Sequence, residues 1–444
     1  MAGLAASALG QGGSGLQTVE LAIRTAMTQL GASLLGQLLA ADTGHHGPRV
    51  DCGSGHDAQF VGYRDKNIDT VLGRIVVRRA VYHCGPCRRG VVPRDEELGV
   101  GGASLSPGLR KMTARVAATA PFAPAAELLA ELAGIRLHPK RIERSAEADG
   151  AAAAVRIKTE SHAIARGQVT VLAGPADRGT PPDKLYIAVD GTGVPMVGAA
   201  VCGRAGKSPD GRARTREVKL AALFTQTSVD DAGRPVRDPD STSYLASFAP
   251  AAEFATLLHA EARRRGADTI RQLVVLGDGA PWIWNLATTI APEATPIVDL
   301  YHAREHLHAL AAHLTGVLGQ AHPAWLTARL ADLDAGDIET LVTETERLHP
   351  QLSADLTNAT TKALGYFKTN AHRMRYAYFR AHGMFVGSGV IEAGCKSIVG
   401  QRLKLSGMRW NIPGATGILT LRCQQASNRW DQIWQRPNNQ TATA

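Results

Sequence analysis

Three separate apolar runs in the second half of the chain each end in an aspartate, and this repetition constrains the fold more than any other feature. They are Lys184-Leu-Tyr-Ile-Ala-Val-Asp190, Arg271-Gln-Leu-Val-Val-Leu-Gly-Asp278 and Ala294-Thr-Pro-Ile-Val-Asp299. Short runs of aliphatic and β-branched residues bounded by turn residues predict buried strands. A further strand is expected over 217–225, an amphipathic helix over 250–265 and another helix after Asp299. Strands alternating with helices predict an α/β sheet. Functional groups in such sheets gather at strand C-termini, so the three acids are expected at one edge. Asp is also a common turn residue after a strand; that explanation suffices for one strand and weakens for three.

A glutamate joins them from farther along, in Gly389-Val-Ile-Glu392-Ala-Gly-Cys-Lys396. Cleaving a phosphodiester with two metal ions requires hard, anionic oxygen ligands around a pair of cations about 4 Å apart. One Asp from a central strand, a second from a neighbouring strand and a Glu from a later helix meet that need. Asp190, Asp278 and Glu392 fit these roles, with two Mg²⁺ or Mn²⁺ ions as the expected cofactors. The glycines beside both aspartates would let backbone and phosphate come close. Lys396, four residues after Glu392, falls on the same helix face and is expected to meet a phosphate or Glu392 itself.

The charge distribution points the same way. Between residues 361 and 434 there are eleven Lys or Arg against Glu392 and Asp431, and this accounts for the entire net charge of +9. Tyr366, Phe367, Tyr376, Tyr378, Phe379 and Trp410 interleave with the basic residues. A basic stripe with aromatics is a polyanion footprint, and Arg402, Lys404 and Arg409 are the expected phosphate contacts. A solvated basic helix is the plain alternative. The preceding segment, 317–365, reads as helical and is acidic, with seven Asp or Glu against Arg329 and Arg347 between 318 and 358.

The first half has a different grammar. Leu16, Val19, Ile23, Met27, Leu30, Leu34 and Leu38 predict a helix over 16–41, and residues 43–55 predict a loop. From Phe60 to Tyr82 the pattern is β, with a turn at Gly73. Cys84-Gly-Pro-Cys87 follows directly, which is the layout of one zinc-ribbon knuckle. Cys52 stands alone as the other half, with His45, His46 and His56 as partners to choose from. The expected ligands of one structural Zn²⁺ are Cys52, His56, Cys84 and Cys87, and reduced, unligated thiols are the alternative. Residues 106–165 predict helices, with a Gly134-Ile-Arg-Leu turn before a helix opened by Pro139. Helix, glycine-containing turn and helix is a helix-turn-helix pattern, and Lys140, Arg141 and Arg144 would face DNA. No apolar stretch is long enough to span a bilayer, so a cytoplasmic, nucleoid-associated protein with no membrane partner is expected.

Taken together, AVDGTGVPM (188–196), TREVKLAALFTQT (215–227), DSTSYLASF (240–248), LGDGAPWIWN (276–285), VDLYHAREHL (298–307) and GSGVIEAGCKSIVGQRLKLSGMRW (387–410) resemble the ISKra-type insertion-sequence transposases of the bacterial DDE superfamily. The resemblance implies an RNase H-like catalytic core with an all-helical insertion, Asp190, Asp278 and Glu392 as its triad, and Mg²⁺ dependence. It also implies double-stranded DNA, both transposon ends and target, as substrate. Asp299-Leu-Tyr-His302 matches the D-x-x-H element of mutator-like transposases; Asp299 and His302, together with the Lys396 beside Glu392, are the expected auxiliary residues. A homodimer or higher oligomer on DNA is the expected assembly. The expected organisation is an N-terminal helix (1–44), a zinc-ribbon-like segment (45–98), a helical DNA-binding domain (104–166), the core in two parts (184–316 and 371–436), and the helical insertion (317–370). The rival functions are a domesticated, transposase-derived DNA-binding protein and a nuclease of the same fold that lacks strand transfer.

Three other motifs compete. Val201-Cys-Gly-Arg-Ala-Gly-Lys-Ser208 ends like a phosphate-binding P-loop but has Val where the first glycine is required. Asp190-Gly-Thr-Gly resembles a sugar-kinase phosphate loop without the second loop that such enzymes need. His302-Ala-Arg-Glu-His306 matches an inverted zinc-peptidase motif, but that reading leaves Asp190, Asp278 and the basic stripe without a role.

Overall fold

The computed structural model describes residues 15–169, 182–198 and 214–435. The P-loop-like segment 201–208, Cys202 and most of the expected linker 166–183 lie outside them. The chain divides into two compact units, Met1–Asp149 and Gly150–Ala444.

The first unit opens with α1 (Leu16–Ala40), followed by a four-stranded antiparallel meander. Its strands are β1 (Arg49–Asp51), β2 (Asp57–Thr70), β3 (Gly73–Cys84) and β4 (Arg89–Val91). β2 and β3 form the long hairpin expected from Phe60 to Tyr82. β1 lies inside the expected loop, since three residues give too little periodicity to be read as a strand. The hairpin turns at Thr70↔Gly73 and carries a bulge between Phe60 and Gly62. Ile68, Ile75, Val77 and Val100 form a core under this sheet, sealed by Ala32, Leu35 and Leu39 of α1. Lys66 and Arg79 both pair with the buried Asp95, at 2.9 and 2.7 Å. Asp95 belongs to the short helix α2 (Pro93–Glu97).

Helices α3 (Pro107–Thr119) and α4 (Phe122–Ala133) follow. Ser106 caps the first by accepting from the Leu109 N–H, and Pro107 occupies the first helical position, where its missing N–H costs nothing. Pro124 falls in the first turn of α4 and is tolerated there for the same reason. α5 (Pro139–Ala165) begins after the Gly134 turn, and the boundary between the units falls within it.

The second unit is built on a five-stranded mixed sheet. Its strands are β5 (Lys184–Pro195), β6 (Thr215–Gln226), β9 (Ser243–Ser247), β10 (Gln272–Gly277) and β11 (Thr295–Val298), in the spatial order β11-β10-β5-β6-β9. β5, β10 and β11 pair in parallel, whereas β6 pairs antiparallel with both of its neighbours, β5 and β9. A small ribbon, β7 (Ser228–Val229) with β8 (Pro235–Val236), leaves the sheet after β6. Helices α6 (Ala251–Arg264) and α7 (Pro281–Ile290) connect the parallel strands. The edge strand β9 is too short and mixed in its pattern to be read from sequence.

β5 departs from expectation: the strand does not end at Asp190 but continues to Pro195. β6 pairs with it along its whole length, from Lys184↔Gln226 to Pro195↔Thr215. Asp190 instead marks where the parallel pairing with β10 stops, because that pairing closes at Leu276↔Ala188.

From Asp299 the chain is helical: α8 (Leu300–Leu318), α9 (His322–Ala335), α10 (Ile338–Glu346), α11 (Ala354–Asn370) and α12 (Tyr376–Ala381). α8 is the helix expected after Asp299, and α9, α10 and α11 fall in the stretch expected to be helical from 317 onward. α13 (Gly389–Gly394) carries Glu392 and runs into a π-helical turn, Cys395–Gly400; α14 (Ile412–Ala426) packs on β9.

Candidate functional site

Two sets of side chains stand out. In the first unit, β1 and β2 are joined by the loop 52–56 and β3 and β4 by the loop 85–88. The registers Asp51↔Asp57 and Cys84↔Arg89 put both loops at the same end of the sheet. Cys52, His56, Cys84 and Cys87 therefore meet, with all four donor atoms within 4.8 Å of one another. Cys52 Sγ lies 3.8 Å from Cys87 Sγ, and His56 Nδ1 lies 3.3 Å from Cys87 Sγ. Tetrahedral zinc with bonds of about 2.3 Å to sulfur has ligand–ligand edges of about 3.8 Å, so both the donor set and its spacing fit Zn²⁺. The other two histidines are engaged elsewhere. His45 packs its ring against Phe60 at 4.7 Å, and His46 pairs with Glu97 at 3.2 Å.

Burial works against ionising Cys52, but the backbone N–H groups of His56 and Ser54, helped by the thiols of Cys84 and Cys87, bring its pKa down to about 6. A thiol that ionises this readily is the form a metal binds. Among the described residues this cluster can hold a structural metal such as zinc.

The second set lies at the edge of the five-stranded sheet. Asp278 follows the last residue of β10, and the parallel register places it beside Asp190. Burial pushes the Asp190 carboxyl up, and the Asp278 charge adds to that, while the Cys395 thiol, the Gly191 N–H and His302 act in the opposite direction. The Asp299 N–H donates to Gly277 O at 2.8 Å, which puts the third strand-end acid next in line.

Asp299 is only 2% exposed, and both its carboxylate oxygens are engaged. One accepts from the His302 N–H at 2.6 Å and caps α8; the other accepts from the Ser388 N–H. Ser388 immediately precedes α13, so Asp299 fixes the entry to the helix that carries Glu392. Gly394 lets that helix lie on the sheet, since a Cβ there would come within 2.9 Å of the Tyr244 ring. At the next residue, the Cys395 thiol donates to Asp190 Oδ2 at 3.3 Å. Glu392 itself is exposed, 3.5 Å from Ser388 Oγ.

Asp190, Asp278 and Glu392 thus come from elements that converge on one edge. Their carboxylates are not gathered as closely as the donors of the Cys–His cluster, which is the one such grouping among the described residues. Carboxylates brought into contact raise each other's pKa, and Asp190 already shows that effect. Gly279 makes room for a neighbouring ring. Its φ is +97°, and a Cβ would meet the Tyr366 ring at 2.6 Å. Tyr366 donates its hydroxyl to Asp278 O at 3.0 Å and stacks on His306 at 3.8 Å. His306 is therefore part of an aromatic stack, and the H-x-x-E-H motif forms no metal cluster among the described residues.

The basic residues divide by burial. Lys404 bonds the Thr192 hydroxyl, two residues from Asp190, and Arg409 is exposed. Arg402 does not join them. It is fully buried, its guanidinium 5.1 Å from the Trp410 ring centroid, because a planar cation on an indole face is worth more inside than at the surface. Much of the stripe is committed in the same way: Arg375 pairs with Glu339, Lys368 with Glu346 and Arg429 with Glu261, while Arg373 lies over Trp284. Lys396 is exposed and makes no ion pair with Glu392. At the start of α5, Arg141 is tied to Asp69 and Ser104, and Lys140 pairs with Glu143 at 2.5 Å, whereas Arg144 is exposed.

Sequence reasoning missed Cys395, Ser388 and Tyr366. Only Cys395 carried a local signal, one helical turn after Glu392. Among the described residues no helix is long and apolar enough to cross a membrane. No family model matches the chain, and comparison with curated proteins returns no match.

Proposed function

We propose that this protein is a DDE-type transposase that cuts and joins DNA at the edge formed by Asp190, Asp278 and Glu392. One observation carries the reading: two aspartates on neighbouring parallel strands share an edge with the helix bearing Glu392, and Cys395 of that helix's continuation bonds to Asp190. The sheet order also agrees with an RNase H-like core, with three antiparallel strands, β5, β6 and β9, extended by the parallel pair β10 and β11.

Three carboxylates are hard oxygen donors suited to Mg²⁺ or Mn²⁺, and a cation would relieve the burial and repulsion that raise the Asp190 pKa. Divalent ions held there would supply Lewis acidity and charge neutralisation for phosphodiester cleavage and transfer. The chain's own residues orient the acids. Cys395 holds one oxygen of Asp190, Tyr366 anchors the backbone of Asp278, and Asp299 fixes the loop before Glu392. Lys404, at Thr192, places an ammonium where a DNA phosphate would approach the acids.

Changing Asp190→Asn, Asp278→Asn or Glu392→Gln removes a ligand charge and keeps the volume. Each should lower Mn²⁺-dependent cleavage of an element-end duplex by at least about a hundredfold, with duplex binding in a gel shift little changed. Substantial cleavage by any one variant removes that residue from the site, and cleavage by all three removes the proposed function.

A further inference from the structure

α1 is 25 residues long and has no buried residue. Ala32, Leu35 and Leu39 pack on the sheet of the first unit, while Leu16, Ile23, Met27, Leu30, Leu34 and Leu38 stand 44% to 74% exposed on another face. On a helix, residues three and four apart share a face. Ile23, Met27, Leu30 and Leu34 are spaced four, three and four, which is the seam of a coiled coil. An exposed apolar stripe of this length is a docking surface rather than scattered surface hydrophobics.

The seam also indicates its partner. Its two polar interruptions are Glu20 and Gln37, both exposed. If a second copy of the helix runs antiparallel with Met27 against the partner's Leu30, then Ile23 falls against Leu34 and Glu20 falls against Gln37. Every apolar position then meets an apolar one, and the carboxylate meets an amide that can donate to it. In a parallel pair Glu20 would instead meet Glu20, two like charges in the seam. The helix carries one acid and one base, Glu20 and Arg24, so two copies do not repel through net charge.

We propose that α1 pairs with α1 of a second copy of this chain as an antiparallel two-helix coiled coil, forming a homodimer that does not require DNA. The interface is isologous, with the same stripe on both partners, as a closed two-fold dimer demands.

Sedimentation equilibrium or light scattering on the full chain without DNA should give a mass of twice 47.0 kDa. The double variant Met27→Glu/Leu34→Glu should give the monomer mass while keeping the far-UV circular dichroism and the zinc content of the parent. Orientation is tested by oxidation. A mixture of the single variants Ile23→Cys and Leu34→Cys should cross-link on a denaturing gel above the parent's background, and each variant alone should not. A monomeric parent, or a double variant that stays dimeric, overturns the proposal. Cross-linking of Ile23→Cys with itself overturns the antiparallel arrangement.

Discussion

The Cys–His cluster of the first unit and the acid edge of the second are assembled by opposite means. Cys52, His56, Cys84 and Cys87 sit in two hairpin loops at one end of a meander, and strand pairing within about forty residues brings them together. Cys52 ionises readily, but the Cys87 thiol beside it is held back from ionising, so the donors can lie close before a metal arrives. Asp190, Asp278 and Glu392 are drawn from positions spread over about two hundred residues, and two of them sit beside each other as carboxylates at an edge where burial already penalises charge. The first arrangement is fixed by local backbone geometry. The second depends on packing and on hydrogen bonds from neighbours such as Cys395, Ser388 and Tyr366. Local geometry concentrates the donors; long-range packing leaves them adjacent but spaced.

The strongest way to break this comparison is to remove the metal from the first unit. Structural zinc contributes about 10–16 kcal/mol in small metal-dependent folds. Cys84→Ser, or chelation of the parent, should therefore unfold the β1–β4 sheet, read as loss of amide protection over 49–91 in hydrogen exchange, with residues 184–298 unaffected. A parent with well under one equivalent of zinc by elemental analysis, and a sheet indifferent to chelator, would show that hydrogen bonds and thiol packing alone hold the loops.

The second unit has no such cluster among its described residues, and its tie is a buried ion pair. Glu261 accepts both Nη1 and Nη2 of Arg429 at 2.8 Å and a bond from Ser243 at 2.7 Å. Burial works against the Glu261 charge, yet Arg429, Ser243 and Arg264 hold its pKa below the usual range. Arg429→Met leaves that carboxylate buried and only partly compensated by Arg264, which should cost about 3–5 kcal/mol. Because the folded-state pKa is depressed, the pair's stabilisation is present above the unfolded Glu pKa and is lost as pH falls through the folded value. The gap between variant and parent in urea unfolding should thus be full at pH 7 and shrink on acidification. A gap that stays constant with pH would assign the loss to packing.

The smallest effect concerns the edge itself. Lys404→Gln/Arg409→Gln should flatten the dependence of log K for duplex DNA on log salt by about 0.9 per lost phosphate contact. Arg402→Gln should act differently, lowering stability because the side chain is buried against Trp410. Fluorescence anisotropy across a salt series separates the two. Equal slopes for Lys404→Gln/Arg409→Gln and parent would move the DNA contacts away from this edge.

Local pattern alone determined much of this protein. Apolar runs ending in Asp marked the parallel strands, Gly73 marked the hairpin, Pro139 marked a helix start, and Cys84-Gly-Pro-Cys87 marked a knuckle. These signals are legible because backbone propensity and side-chain periodicity act over a few residues. Tertiary structure decided the rest. It selected His56 over His45 and His46, since only the 52–56 loop shares a sheet end with Cys84 and Cys87. It carried β5 past Asp190, because a partner strand some thirty residues away continues the ladder. It drew Arg402 into the core and left Lys404 outside, a difference that a count of basic residues cannot register. It gave Asp299 two backbone donors from distant segments, which turned an acid at a strand end into a clamp on the Glu392 helix. Burial and the identity of a hydrogen-bond partner depend on which distant segments pack together, and no single stretch of sequence contains that information.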